Sequence, residues 1–300
     1  MKQSLWSLAA AASFCIMAAF VKLCSDQLGA FELVFYRSLI GVILISVFVY
    51  RTGNTVRTHL WKLHLGRSFF GCLSIVLWFY TLARMDFGTN MTLIYTTPLF
   101  MAANFAVLAL MRHTTPPWGL IVPTITGFIG VTVVLQPALK SDELIPALIC
   151  LFVSLIDLIV YWQMKKMGDT KEPSWRIVFY FTLLCTVFAV AGTIGLEGGF
   201  HIPDTKSAIG IVGMSIFATL GQISSTRSYA YGNLLLSSLL GFSAIPFSLL
   251  TGVLLFDERV TWVSIAGVVL IIISGAFATI NTKRAEKLEE KRRAAPEFDS

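Results

Sequence analysis

The chain is 300 residues long, 56% hydrophobic and only 13% charged, so apolar that a water-soluble domain would lack the polar surface to cover itself. Lipid is therefore part of its solvent, and with no long polar linker the apolar runs read as one bundle. The formal net charge of +6 sits in short loops and the tail, a topological pattern that argues against a nucleic-acid partner.

Runs of about 18 to 25 apolar residues, the length that crosses a hydrocarbon core of about 30 Å, fall in chain order at 4–23, 31–50, 67–85, 89–111, 117–136, 143–165, 174–196, 207–230, 233–256 and 262–281. They predict an all-α membrane protein with ten transmembrane helices. The first run follows Lys2 and is read as a span, not a signal peptide, because the repeat described below needs it. The runs lack period-2 alternation, which argues against an outer-membrane barrel. A polar tail, 282–300, begins near Lys283 and Arg284 and is expected to be solvated and partly disordered. Cys15, Cys24, Cys72, Cys150 and Cys185 are irregularly spaced in or beside apolar runs and read as packing residues.

With the N-terminus in the cytoplasm, seventeen of the 23 basic residues fall on that side, Arg67 and Arg227 among them. The remainder are Lys22, Arg37, Arg84, Lys140, Lys206 and Arg259. The positive-inside rule then places both termini in the cytoplasm and the protein in the inner membrane.

The chain also repeats itself. Val34-Phe35-Tyr36 recurs as Val178-Phe179-Tyr180, and Lys22 matches Lys166 at the same offset of 144. An offset of 148 superposes Pro98 on Pro246, Gly119 on Gly267 and Gly127 on Gly275. Two halves of five helices, 4–136 and 143–281, follow. An odd helix count makes them inverted repeats, the usual construction of secondary transporters.

Phe31-Glu32-Leu33-Val34-Phe35-Tyr36-Arg37, Tyr95-Thr96-Thr97-Pro98-Leu99-Phe100, Gly127-Phe128-Ile129-Gly130-Val131 and Asp257-Glu258-Arg259 together resemble two EamA-type domains of the drug/metabolite transporter superfamily. The resemblance covers roughly residues 5–280. It implies a solute cavity lined mainly by helices 1, 3, 4, 6, 8 and 9. One departure is Leu110-Met111-Arg112-His113, where the family often has an acidic-basic pair after helix 4. Spans 2 to 5 look most like S-adenosylmethionine uptake carriers, with riboflavin and amino-acid or drug carriers close behind.

Asp157, near the middle of span 6, is the sharpest chemical signal, since a charge there costs at least ~2.5–3.5 kcal/mol. Two readings stay open: a substrate-amine or proton site, and a hydrogen-bonded tie between helices. Trp78, Tyr80, Asn90, Tyr95, Tyr161 and Gln163 offer flat faces and hydrogen-bonding tips for a substrate, and Gln222 and Arg227 an anion site. Ordinary packing is the alternative for each aromatic, and snorkelling for Arg227. Arg37 and Glu32 are expected to be gating or structural residues, with snorkelling to the outer interface the favoured reading for Arg37 and complementing the helix dipole that for Glu32, and Lys22 is expected to anchor at the interface. Pro98 and Pro246 are expected to be paired kinks near the cavity.

The expected function is alternating-access transport of a small organic metabolite such as S-adenosylmethionine or a related cationic or zwitterionic compound. A proton is an open choice of coupling ion, and monomer and dimer both fit. No phosphate-binding Gly-Lys-Ser/Thr loop occurs, so no nucleotide or other cofactor is expected. A membrane enzyme and a channel are the rivals. His59, His64, His113 and His201, all expected in loops, supply neither a base for Ser243 nor a metal site.

Overall fold

In lipid, every backbone N–H and C=O must be satisfied within the segment that carries it, so long apolar runs fold as helices. The computed structural model describes residues 2–85, 87–135, 143–247, 250 and 261–294. The helices are α1 (Trp6–Cys24), α2 (Ala30–Thr52), α3 (Trp61–Arg84), α4 (Phe87–Ile94), α5 (Thr97–Met111), α6 (Trp118–Leu135), α7 (Leu144–Asp169), α8 (Ser174–Leu196), α9 (Thr205–Tyr231), α10 (Leu234–Leu240) and α11 (Trp262–Ala294). A single 3-10 turn, Gly241–Ser243, follows α10. Among the described residues, seven helices are long and apolar enough to span a membrane: α1, α2, α3, α7, α8, α9 and Ile265–Ala285 of α11. Three shorter apolar helices, Thr97–Met111, Trp118–Val133 and Leu234–Phe247, bring the bundle to ten. The expected Lys140 and Asp257-Glu258-Arg259 lie outside the described residues.

The expected fourth span is two helices. Pro98 has no N–H to give to Ile94 O, so the ladder breaks at Tyr95 and Thr96 and restarts as α5 with Pro98 in its first turn. The freed carbonyls are taken by hydroxyls: Thr97 Oγ1 donates to Ile94 O at 3.0 Å, Thr96 Oγ1 to Leu93 O at 2.7 Å, and Ser154 Oγ to both at 3.0 and 3.1 Å. Pro98 is thus the start of a new helix rather than a kink in a continuous one. In the ninth span the interruption is the 3-10 turn, with Pro246 three residues beyond it. Pro123 lies inside α6, where Asn281 Nδ2 donates to the Gly119 carbonyl at 3.1 Å in place of the missing proline donor. The tail does not unwind at Lys283, because Ala, Lys, Glu and Arg are strong helix formers and carry α11 on to Ala294.

The principal pairings are α1 with α9, α2 with α8, α3 with α7 and α8, and α6 with α11. Met17, Val34, Phe79, Phe181, Cys185 and Met214 belong to the largest apolar cluster. Hydroxyls join α1 to α9 where apolar packing alone gives little direction: Ser7 and Ser228 are 2.7 Å apart, and Ser228 Oγ donates to Ser4 O at 3.1 Å.

Both ends of the α2–α8 pair are fastened. At one end Arg176 donates to Thr55 O at 2.8 and 3.2 Å, and Tyr180 OH to Val56 O at 2.8 Å. There Glu172 pairs with His64 at 3.0 Å and with Arg176 at 3.3 Å, while Tyr231 OH donates to the Glu172 carbonyl. His64 is therefore a buried residue of α3, not a loop residue. Burial pushes the Glu172 carboxyl up, but the hydrogen bonds from His64 and Thr58 and the charge of Arg176 win and hold it below its ordinary range. At the other end Glu197 accepts from the backbone N–H groups of Phe31 and Glu32 at 2.9 and 3.1 Å. Glu32 was expected to complement the dipole of α2, but Glu197 takes that place. Glu32, fully buried, turns away to accept from the backbone and ring of His201 at 2.8 and 2.9 Å.

Candidate functional site

A cavity of about 140 Å³ lies at the broken fourth and ninth spans. Water needs only ~10–15 Å³ of such space, so the cavity has room for an organic group. From α1 it receives small residues, Ser7, Ala10 and Ala11, and from the breaks Tyr95, Thr97, Pro98 and Gly241.

Its chemistry is concentrated on α2, α3, α7 and α9. Along α3, Arg67, Gly71, Ser74 and Trp78 follow one another at helical spacing on the cavity wall. Gly71 leaves room for the Arg67 guanidinium, which lies 3.8 Å from the centroid of the Phe181 ring. A Cβ at residue 71 would stand 3.0 Å from that ring and 3.1 Å from Arg67 Nη1. Arg37 of α2 faces the same ring at 5.7 Å and donates through Nη2 to Gln222 Oε1 of α9 at 3.3 Å. Arg37 is 2% exposed and Arg67 1%, and among the described residues Nε and Nη1 of both have no hydrogen-bond partner. The expectation that Arg37 snorkels is therefore wrong: its stem points into the bundle, toward the gap beside Phe181, and not along α2 to the interface. Arg67, expected at a cytoplasmic loop end, is buried for the same reason.

Asp157 of α7 also lines the cavity and accepts from Ser74 Oγ at 2.5 Å. Among the described residues no ion pair joins it to either arginine. Tyr161 and Tyr229 stack face to face, 3.7 Å between centroids and 5° between planes, and both line the cavity.

Other expected site residues lie elsewhere. Tyr80 stacks under Arg84 at 3.8 Å, away from the cavity. Asn90 is fully buried behind the wall, where it accepts from Trp78 Nε1 at 3.1 Å and donates to Thr81 Oγ1 at 2.9 Å. It positions Trp78 without lining the cavity. Gln163 abuts α3 at Gly66, because α7 turns that side chain away from the Tyr161 face. Arg227 reaches Gln3 Oε1 at 3.0 Å and lies over Trp6 at 4.5 Å, at the end of α9 rather than in the cavity. Pro246 is likewise not on the cavity wall. Lys22, expected as an interfacial anchor, donates to Leu82 O and Met85 O at 3.0 and 3.2 Å, where it closes the end of α3.

Residues 1–136 match the model of the EamA-like transporter family. Over most of its length the chain is similar to named transporters: a pseudopaline exporter of Pseudomonas aeruginosa, 25% identical with 91% of this chain and 93% of the relative covered; a riboflavin transporter of Vibrio cholerae, 26% identical with 92% of each covered; and an S-adenosylmethionine uptake transporter of Rickettsia bellii, 23% identical with 88% of each covered. A protein solved by crystallography shares the fold at a TM-score of 0.80 and 17% identity, over 95% of this chain and 99% of the other. The family model over residues 1–136, the transporters similar along most of the chain and the ten-helix bundle agree with one another: the first half of the chain matches the EamA-like transporter family, and the whole is similar to metabolite transporters.

Proposed function

We propose that the protein carries a small organic metabolite across the inner membrane by alternating access, with both termini in the cytoplasm and residues 4–136 and 143–281 acting as inverted five-helix repeats. The observation that carries this reading is the polar, aromatic-walled cavity at two interrupted spans. Irregular backbone at membrane depth is tolerated where it lines a cavity, and interrupted helices in matched halves are the usual place of a transporter's site. The equivalence of residues 148 apart puts Pro98 and Pro246 beside the two interruptions.

Cargo would sit between Trp78 and the Tyr161–Tyr229 stack, and rocking of one repeat against the other would expose it to each side in turn. Asp157 is positioned to take the cargo's hydrogen-bond donor or a coupling proton. S-adenosylmethionine, riboflavin and pseudopaline, the compounds in the relatives' names, are the first cargoes to test.

Counterflow in proteoliposomes tests the proposal. Saturable accumulation of a labelled compound, driven by the same unlabelled compound inside, is expected of a carrier; non-saturable flux would indicate a channel, and a chemically altered product an enzyme. Asp157→Asn is expected to reduce counterflow at least ~100-fold, on the scale of about 2.7 kcal/mol, with normal folded yield. Unchanged counterflow in that variant would remove Asp157 from the mechanism.

A further inference from the structure

We infer that the cavity recognises its cargo by a carboxylate, and that the cargo bears net negative charge. The inference rests on the carrier reading, in that it takes the cavity to be the cargo site. Two guanidiniums, both at least nine-tenths buried, border the cavity within reach of one ring, Phe181. Gln222 satisfies one nitrogen of Arg37, while Nε and Nη1 of both arginines have no partner among the described residues. A guanidinium presents its donors in a planar fork that matches the two oxygens of a carboxylate, and unpaired buried donors on a cation are among the costliest groups a protein can hold. Such donors point to a missing acceptor.

Charge gives the sign. Among the described residues, Arg37 and Arg67 face one carboxyl group on the cavity wall, that of Asp157, whose Oδ1 already accepts from Ser74. One monoanion balances the excess positive charge, whereas a cation increases it. This turns the choice of cargo away from the cationic or zwitterionic class expected from sequence. The remaining wall supplies the shape: Trp78, on the same stripe of α3 as Arg67, and the Tyr161–Tyr229 stack offer flat apolar faces to the cavity. The favoured cargo is a carboxylate attached to a flat or cyclic body.

The test is a charge series on one body: phenylacetate, phenylacetamide and phenethylammonium, in a common sodium chloride buffer. Each is added to the purified full chain in detergent, and thermal unfolding and tryptophan fluorescence are followed. Phenylacetate is expected to raise the unfolding temperature saturably while the amide and the ammonium do not. Arg37→Gln and Arg67→Gln should each weaken that response at least ~10-fold, as loss of a charge-assisted pair implies. Arg84→Gln, a cation outside the cavity, should leave it intact. Equal responses to all three compounds, a larger response to phenethylammonium, or none to phenylacetate overturns the inference. The series on the unaltered protein decides alone if an arginine variant does not fold. Binding and counterflow fail separately: a cationic cargo that shows counterflow sinks this inference and leaves the carrier standing, while phenylacetate binding without counterflow of any cargo does the reverse.

Discussion

The two ends of the α2–α8 pair are closed by different means. At the His64 end, buried or nearly buried charged side chains grip one another and the 53–60 connection, and Gly168 of α7 presses directly on the Ala230 backbone of α9. At the His201 end, carboxylates cap backbone N–H groups, His201 is 57% exposed, and Gly192 of α8 rests on the ring of Phe31, a side chain able to turn away. Charge is buried at both ends, at Glu172 and at Glu32; what differs is that the first closure rests on fixed backbone, the second on a ring that can turn aside and on the exposed His201. A carrier that opens at each end in turn would therefore meet a higher barrier at the His64 end.

The sharpest way to break this comparison is to add one methyl group at each end. Gly168→Ala drives Cβ into the Ala230 carbonyl, which cannot rotate aside, and should destabilise by ~3 kcal/mol; Gly192→Ala meets a ring and should cost nearer ~1 kcal/mol. Thermal unfolding in detergent reads both. Equal losses would mean that the ends are alike in stiffness.

Next in size is Glu172→Gln, which removes the charge held by His64 and Arg176 and should cost ~1.5–3 kcal/mol. Its pH dependence has a definite sign. The Glu172 carboxyl titrates below its ordinary value of 4.5 in the folded chain, so the stabilisation is complete above that value and is lost as pH falls through the folded one. Stability should hold from about pH 7 to 5 and fall below about 4.5, and Glu172→Gln should flatten part of that fall. An unchanged acid limb in the variant would remove this pair from the closure.

Most of the fold was legible because span length and hydropathy are set by the bilayer, and because Pro98 marks its break through a missing N–H that any sequence reveals. The site was less legible. Asp157, Trp78, Tyr95, Tyr161 and Gln222 could be placed on the cavity wall because side chains with polar tips are sparse at membrane depth. Arg37 and Arg67 were assigned to the interface because each lies within two turns of a helix end, where a long stem can reach water. The signal against that reading was periodic: Arg67, Gly71, Ser74 and Trp78 form one small and polar stripe on an otherwise apolar helix. Tyr80 departs by the same rule, since it is two residues from Trp78 and so points well around its helix; Gln163, next to the wall residue Met164, instead abuts α3 at Gly66, which its own spacing does not announce. The fastening of Glu32 to His201 pairs residues 169 apart, and no local pattern announces it.

The smallest expected effect separates the two ends through their caps. Asn233 starts α10 at the His64 end by accepting from Leu236 N at 2.9 Å; Asp204 starts α9 at the His201 end by accepting from Ser207 N at 2.7 Å. The bonds are alike, but α10 has only seven residues and ends at Gly241 on the cavity wall, whereas α9 has 27 and is held along its length by α1. Losing a cap frays a helix from its first turn, so a short helix transmits the loss to its far end and a long one absorbs it. Asn233→Ala should cost ~1 kcal/mol and also weaken cargo binding, with Asn233→Asp restoring both; Asp204→Ala should lower stability less and leave binding unchanged. Parallel measurement of unfolding and ligand response in the three variants checks this, and a binding loss in Asp204→Ala as large as in Asn233→Ala would show that the cavity is coupled equally to both ends.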